Sequence, residues 1–124
     1  MALESHEHAE HDPTVTNPTL YRTVFENDRV RVLEYRDHPG DVTTPHRHPD
    51  SVMVTLTSFR RRVSSGDRHA DVALESGQVR WVPAQSHLGE NVGDTATHAI
   101  FVELKGAGEP APSGVDAPVG PSAG

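Results

Sequence analysis

Gly40-Asp41-Val42-Thr43-Thr44-Pro45-His46-Arg47-His48-Pro49 sets two imidazoles two residues apart between two prolines. Side chains on an extended segment repeat every second residue, so both rings project to one side and can share one metal ion. Pro45 and Pro49 keep the segment out of a helix. A His-x-His pair is cheap in this chain, however. With 9 His in 124 residues, about 0.6 such pairs arise by chance. A second pair, His6 and His8, lies near the start of the chain. The spacing alone decides nothing; the residues around it do.

On both sides of the pair the pattern is that of short strands. Tyr21 to Glu26 reads as a first strand, with a hairpin turn at Glu26–Arg29. Arg29 to Arg36 alternates charged and apolar, with a phase slip at Val32–Leu33 that implies a bulge. Val52 to Phe59 alternates as a half-buried strand does, and Arg60 to Val63 prolongs it to a turn at Ser64–Asp67. Asp71 to Glu75, Val79 to Val82 and Thr97 to Leu104 complete the set, with turns at Ser76–Gly77 and Asn91–Asp94. No stretch carries a helical period. The expected class is all-β, a sandwich or barrel.

Length and composition bound the rest. The chain is expected to form one domain with flexible tails. Residues 1–19 are polar and acidic and 106–124 are rich in Gly, Pro and Ala, so both are expected to be disordered, leaving 20–105 for the barrel. His6, His8 and His11 in the first tail could chelate a stray ion, but a solvated tail is the simpler reading. Net charge is −7, from 11 basic and 18 acidic residues, which argues against nucleic acid or an anionic membrane as partner. Zero Cys removes disulfides, thiolate metal sites and cysteine nucleophiles together. With no apolar run of membrane length and no signal-peptide pattern, a cytoplasmic location is expected.

The motifs then resemble those of the cupins, small jelly-roll barrels, over roughly residues 20–105. The family's first motif is Gly-x5-His-x-His-x3–4-Glu, and Gly40 to His48 matches its first half. The second is Gly-x5-Pro-x-Gly-x2-His-x3-Asn. Gly77 to Pro83 matches its first part and His87-Leu88-Gly89-Glu90-Asn91 its last. More narrowly the chain is similar to small bacterial monocupins, some associated with β-alanine degradation. The resemblance implies a cupin jelly-roll β-barrel and a metal ligand set of His46, His48 and His87. Two departures stand out. Val52 and Met53 occupy the place of the motif-one carboxylate, and Gln85 replaces the Pro-x-Gly glycine.

Three neutral imidazoles without a carboxylate leave a divalent ion its full charge and open positions, which is catalytic in form. Fe(II), Ni, Mn or Zn would all be acceptable. Such a centre favours an anionic, preferably bidentate ligand: an enolate, a carboxylate or a hydroxy or keto acid. Cupins with a three-histidine centre include Fe(II) dioxygenases for β-dicarbonyls and thiols, so the resemblance implies a metal-dependent dioxygenase or a Lewis-acid lyase or isomerase. A non-enzymatic small-molecule-binding cupin is the alternative. Val52, Met53, Trp81, Gln85 and Arg80 are the candidate pocket residues. Arg60 or Arg80 is the candidate clamp for a substrate carboxylate, and Glu34 or Glu103 could face inward as a base. Asn91 is expected to fix the motif-two loop through its amide. Open jelly-roll edges make a homodimer the expected assembly.

Overall fold

Alternating apolar and polar residues, broken by glycine turns, build this chain strand by strand. The computed structural model describes residues 11–106 and 119–121. A single helical turn, α1 (Pro13–Thr16), precedes nine strands among the described residues. They are β1 (Tyr21–Glu26), β2 (Val30–Asp37), β3 (His46–His48), β4 (Ser51–Thr55), β5 (Phe59–Ser65), β6 (Arg68–Leu74), β7 (Val79–Val82), β8 (Gln85–Asn91) and β9 (Thr97–Leu104). They form two antiparallel sheets. One is five-stranded, in the order β1-β2-β9-β4-β7; the other is four-stranded, in the order β3-β8-β5-β6. This is the all-β jelly-roll expected from the sequence. No helix among the described residues is long and apolar enough to cross a membrane.

The interior follows strict parity. On β2 the buried residues are Leu33, Tyr35 and Asp37, and on β4 they are Ser51, Met53 and Thr55. Tyr21, Leu33 and Tyr35 pack as one cluster and Met53, Val82 and Ala99 as a second, with Phe101 against both. Gly40 and Gly77, which open the two motifs, have φ of +90° and +83°. Only glycine adopts that backbone without strain, so each motif begins at a turn the chain needs.

Four features differ from the sequence expectation. Val52 to Val63 is two strands in different sheets, because the chain leaves β4 after Thr55. There the Thr55 hydroxyl donates to Glu75 O at 2.6 Å, while Leu56 N donates to His98 O. Alternation within a strand carries no information about a change of sheet. The motif-two loop is itself a strand, β8, and not a turn region. The bulge lies on β1 at Val24, opposite Val32–Leu33, while β2 pairs with β9 in unbroken register. The tail boundaries also shift. His6 and His8 lie outside the described residues, but Asp12 caps α1 and Asn17 is buried. At the other end Gly120 is buried against Gln85.

Candidate metal centre

Pro45 delivers an extended chain into β3, and β3 pairs antiparallel with β8 so that His46 lies opposite His87. Directly opposed residues share a face, and His48 follows His46 by two. The three rings therefore meet. Their centroids lie 4.8 Å (His46–His48), 4.9 Å (His46–His87) and 5.1 Å (His48–His87) apart. One nitrogen from each ring lies within 4.8 Å of the other two.

The second nitrogen of each ring is engaged elsewhere. His46 Nδ1 lies 2.7 Å from Thr44 O, His48 Nδ1 lies 3.2 Å from Glu103 Oε2, and His87 Nδ1 lies 2.7 Å from Gln85 Oε1. A carbonyl, a carboxylate and an amide oxygen are all acceptors, so each Nδ1 carries the proton and each Nε2 keeps its lone pair. The Gln85 amide is itself fixed, since Gly120 N donates to its Oε1 at 2.7 Å and its Nε2 donates to Gly120 O at 3.1 Å. Burial, and then the neighbouring rings, push His46 down to about 3 and His87 well below the usual imidazole range. Both are neutral near pH 7, as metal ligands must be.

The residues fit a metal. With metal–nitrogen bonds of about 2.0–2.1 Å, three nitrogens on one ion stand roughly 3.3–3.6 Å apart, so side-chain shifts that close the widest pair by about 1–1.5 Å from the 4.8 Å limit would bring all three onto one ion. A further observation points the same way. Tyr21 Oη lies 3.3 Å from both His46 Nε2 and His48 Nε2. One hydroxyl proton serves only one of two acceptors, and an electrophile between the rings satisfies both.

Behind the rings stands a chain of charges. Glu103, buried on β9, takes Arg31 Nε at 2.9 Å and Nη2 at 2.8 Å on its other oxygen. Arg31 in turn pairs with Asp12 at 2.8 Å. Asn17 accepts from Thr44 N at 2.8 Å and so fixes the carbonyl that holds His46. Such carboxylate–histidine contacts orient ligand rings and fix their tautomers. The segment assigned from sequence to an N-terminal tail thus supplies two members of the support.

The cluster faces a small cavity of about 60 Å³, whose lining includes Tyr21, His46, His87, Met53, Phe101 and Arg61. Gly120 and Pro121 also line it. Of the residues expected in the pocket, Met53 is there and Gln85 stands directly behind His87. Val52 and Trp81 are not in it: they oppose each other on the outer face of the sheet, since parity turns every second residue of β4 and β7 outward. Arg80 shares the register position of Met53 but does not line the cavity. Arg60 is exposed, and the inward member of the arginine triplet is Arg61. Glu34 faces outward, paired with Arg22, Arg36 and His98. Asp50 accepts from Ala84 N at 2.8 Å and braces the strand entry. Asn91 holds the following turn as expected, accepting from Gly93 N and donating to Thr95 O.

Sequence reading missed Tyr21, Asn17, Arg61 and Gly120.

Comparison with solved structures gives the fold a name. A cupin domain from Bordetella pertussis Tohama I superposes with a TM-score of 0.65 at 28% identity, covering 69% of this chain and 92% of that one. This is a small cupin-superfamily protein. A cupin family protein from Methanocaldococcus jannaschii (TM-score 0.56, 10% identity, 68% and 78% covered) shares the cupin's double-stranded β-helix. So does a cupin 2 conserved barrel domain protein from Salinispora arenicola (TM-score 0.55, 17% identity, 73% and 80% covered). No protein-family model and no curated protein matches the chain. In this cupin the place of the motif-one carboxylate falls to apolar Met53 inside the barrel and Val52 outside it.

Proposed function

We propose that this cupin is a metal-dependent enzyme in which His46, His48 and His87 hold a divalent ion, and that it acts on a small anionic carboxylate or dicarbonyl. The observation that carries the reading is the set of three Nδ1 contacts, which leaves three Nε2 lone pairs turned toward one point. Three protein ligands leave positions open for substrate, as catalytic sites do. A divalent ion there supplies Lewis acidity and, if it is Fe(II), one-electron chemistry toward O₂. The protein's own residues orient and enclose. Tyr21 places a hydroxyl 3.3 Å from both His46 Nε2 and His48 Nε2, and Met53 and Phe101 would help keep water out.

Among the described residues lining the cavity there is no carboxylate. Proton transfer would fall to the Tyr21 and Tyr35 hydroxyls, and burial raises the pKa of both. A reaction that depends on a strong base is disfavoured, so Fe(II) dioxygenation ranks above lyase or isomerase chemistry. The narrower resemblance to cupins associated with β-alanine degradation agrees with a short acid as substrate and belongs to the same proposal. A second reading, a non-enzymatic binding module, is favoured by one feature: Gly120 and Pro121, from the far end of the chain, are part of the cavity wall. The test is oxygen uptake by Fe(II)-loaded protein with a panel of short acids, dicarbonyls and thiols, beside His46→Ala. Turnover lost in the variant supports the enzyme. Stoichiometric metal with no turnover on any substrate supports the binding module, and failure to bind metal ends both.

The assembly we propose is a homodimer through the five-stranded sheet. Phe25, Val32, Val102, Val52 and Trp81 stand opposite one another across all five strands, on the outer face. An apolar row of that length on a sheet surface is typical of a buried interface.

A further inference from the structure

Gln85 stands between His87 and Gly120, a residue 35 positions further along the chain. At 2% exposure its amide depends on protein partners for its hydrogen bonds. Oε1 accepts from Gly120 N at 2.7 Å and faces His87 Nδ1, also at 2.7 Å. Nε2 donates to Gly120 O at 3.1 Å and to Pro83 O at 2.9 Å. Gly120 thus meets both ends of the amide with its own N–H and C=O.

That pairing selects one orientation of the amide. Flipped end for end, Gln85 would set its NH₂ against Gly120 N–H and its oxygen against the carbonyls of Gly120 and Pro83. It would also present a donor to His87 Nδ1, and the imidazole proton would have to move to Nε2. Seating of Gly120 and the ligand form of His87 therefore require the same orientation. Pro83 favours it through one bond to the NH₂. Gly120 adds two, and among the described residues it alone donates to the oxygen that meets His87. The backbone there is one that glycine supplies, with φ of +77°. Gly120 and Pro121 line the same cavity as His46 and His87, so the seated stretch is part of the site.

We propose that Gly120 is a positioning residue for the third metal ligand. By clamping Gln85 it holds His87 with Nε2 free, so that capture of an ion and seating of residues 119–121 reinforce each other. The linkage rests on the metal reading, whereas the Gly120–Gln85–His87 connection stands without it. Coupling of this kind is reciprocal: a bound ion strengthens the seating by the factor by which the seating strengthens binding. Loss of a direct partner of a ligand typically costs 10–100-fold in affinity. Gly120 acts one contact further out, and the expected factor is about three to ten.

Gly120→Pro in the full chain tests the clamp, because proline lacks the N–H and fixes φ near about −65°. The position lies outside all nine strands, and a melting curve checks that the barrel folds. Zinc affinity, measured against a competing chelator, should fall about three- to tenfold. The tautomer of His87 is read separately from the imidazole ¹⁵N shifts of metal-free protein, a signature that general loosening of the chain end would not move. Nδ1 should carry the proton in the unaltered chain, and the Nε2–H form should gain in Gly120→Pro. In the unaltered chain, zinc should slow amide hydrogen exchange at Gly120 by a similar factor. Zinc affinity within twofold of wild type, unchanged ¹⁵N shifts in Gly120→Pro, or Gly120 exchange indifferent to bound zinc each overturns the proposal. Absence of zinc binding in the unaltered chain removes the metal reading and the linkage with it, and the metal-free shifts then decide the connection to His87 alone.

Discussion

Glu103→Gln tests the metal centre with the smallest change of shape. Glu103 uses one oxygen for Arg31 (2.8 and 2.9 Å) and the other for His48 Nδ1 (3.2 Å). A glutamine has one oxygen and one NH₂. Arg31 can only donate, so the amide oxygen stays with Arg31 and the NH₂ turns to His48. His48 then has to accept at Nδ1 and move its proton to Nε2, the atom that faces Tyr21 and the other rings. A protonated Nε2 cannot bind a metal. Loss of such a supporting contact typically costs 10–100-fold in affinity, or about 1.4–2.7 kcal/mol. The assay is zinc titration of wild type and variant at pH 7.5 by calorimetry, with a competing chelator. Replacing the carboxylate also weakens a charge-assisted contact with Arg31, for which about 1–3 kcal/mol of unfolding free energy is expected. Zinc affinity within twofold of wild type in a folded Glu103→Gln protein would refute the tautomer argument.

The metal-free protein is expected to lose stability as pH falls below about 6.5, the unperturbed imidazole value. His46 and His87 have lowered folded-state pKa values, so the unfolded chain binds more protons in the window from 6.5 down to about 3, and stability rises with pH there. Urea midpoints of chelated protein at pH 7.5, 6.5 and 5.5 measure it, and a flat profile contradicts the buried neutral cluster. Tyr21→Phe removes the hydroxyl between His46 and His48 and should alter the visible spectrum of Co(II)-loaded protein; superimposable spectra place Tyr21 outside the coordination sphere. Leu33→Ala, at a fully buried core position, should cost about 2–5 kcal/mol in urea unfolding, and less than 1 kcal/mol would mean the core collapses around the change. Val102→Glu, in the centre of the apolar row, should give a monomer in sedimentation, and a dimer that survives it uses another face.

Much of the site could be read locally. Pro45 and Pro49 force an extended segment, alternation aims His46 and His48 to one side, and Gly40 and Gly77 take positive-φ turns at the motif starts. The apolar Val52 and Met53 where a carboxylate stands in the family motif were equally visible. These features depend on residues a few positions apart, and so local sequence states them.

Face and partner were decided only by tertiary pairing. Glu34 and Glu103 look alike in sequence, yet one lies outward among Arg22, Arg36 and His98 while the other is buried against His48, 55 residues away. In Arg60-Arg61-Arg62 the middle residue is the inward one, because Val63 and Phe59 fix the parity of β5. Asn17 and Gly120 sit in segments of tail-like composition but bond to Thr44 and Gln85. Periodicity along a strand gives two possible faces and no means of choosing; the choice is made by the strand that pairs beside it. The chain therefore carries the ligands in its local code, and the barrel supplies the groups that orient them.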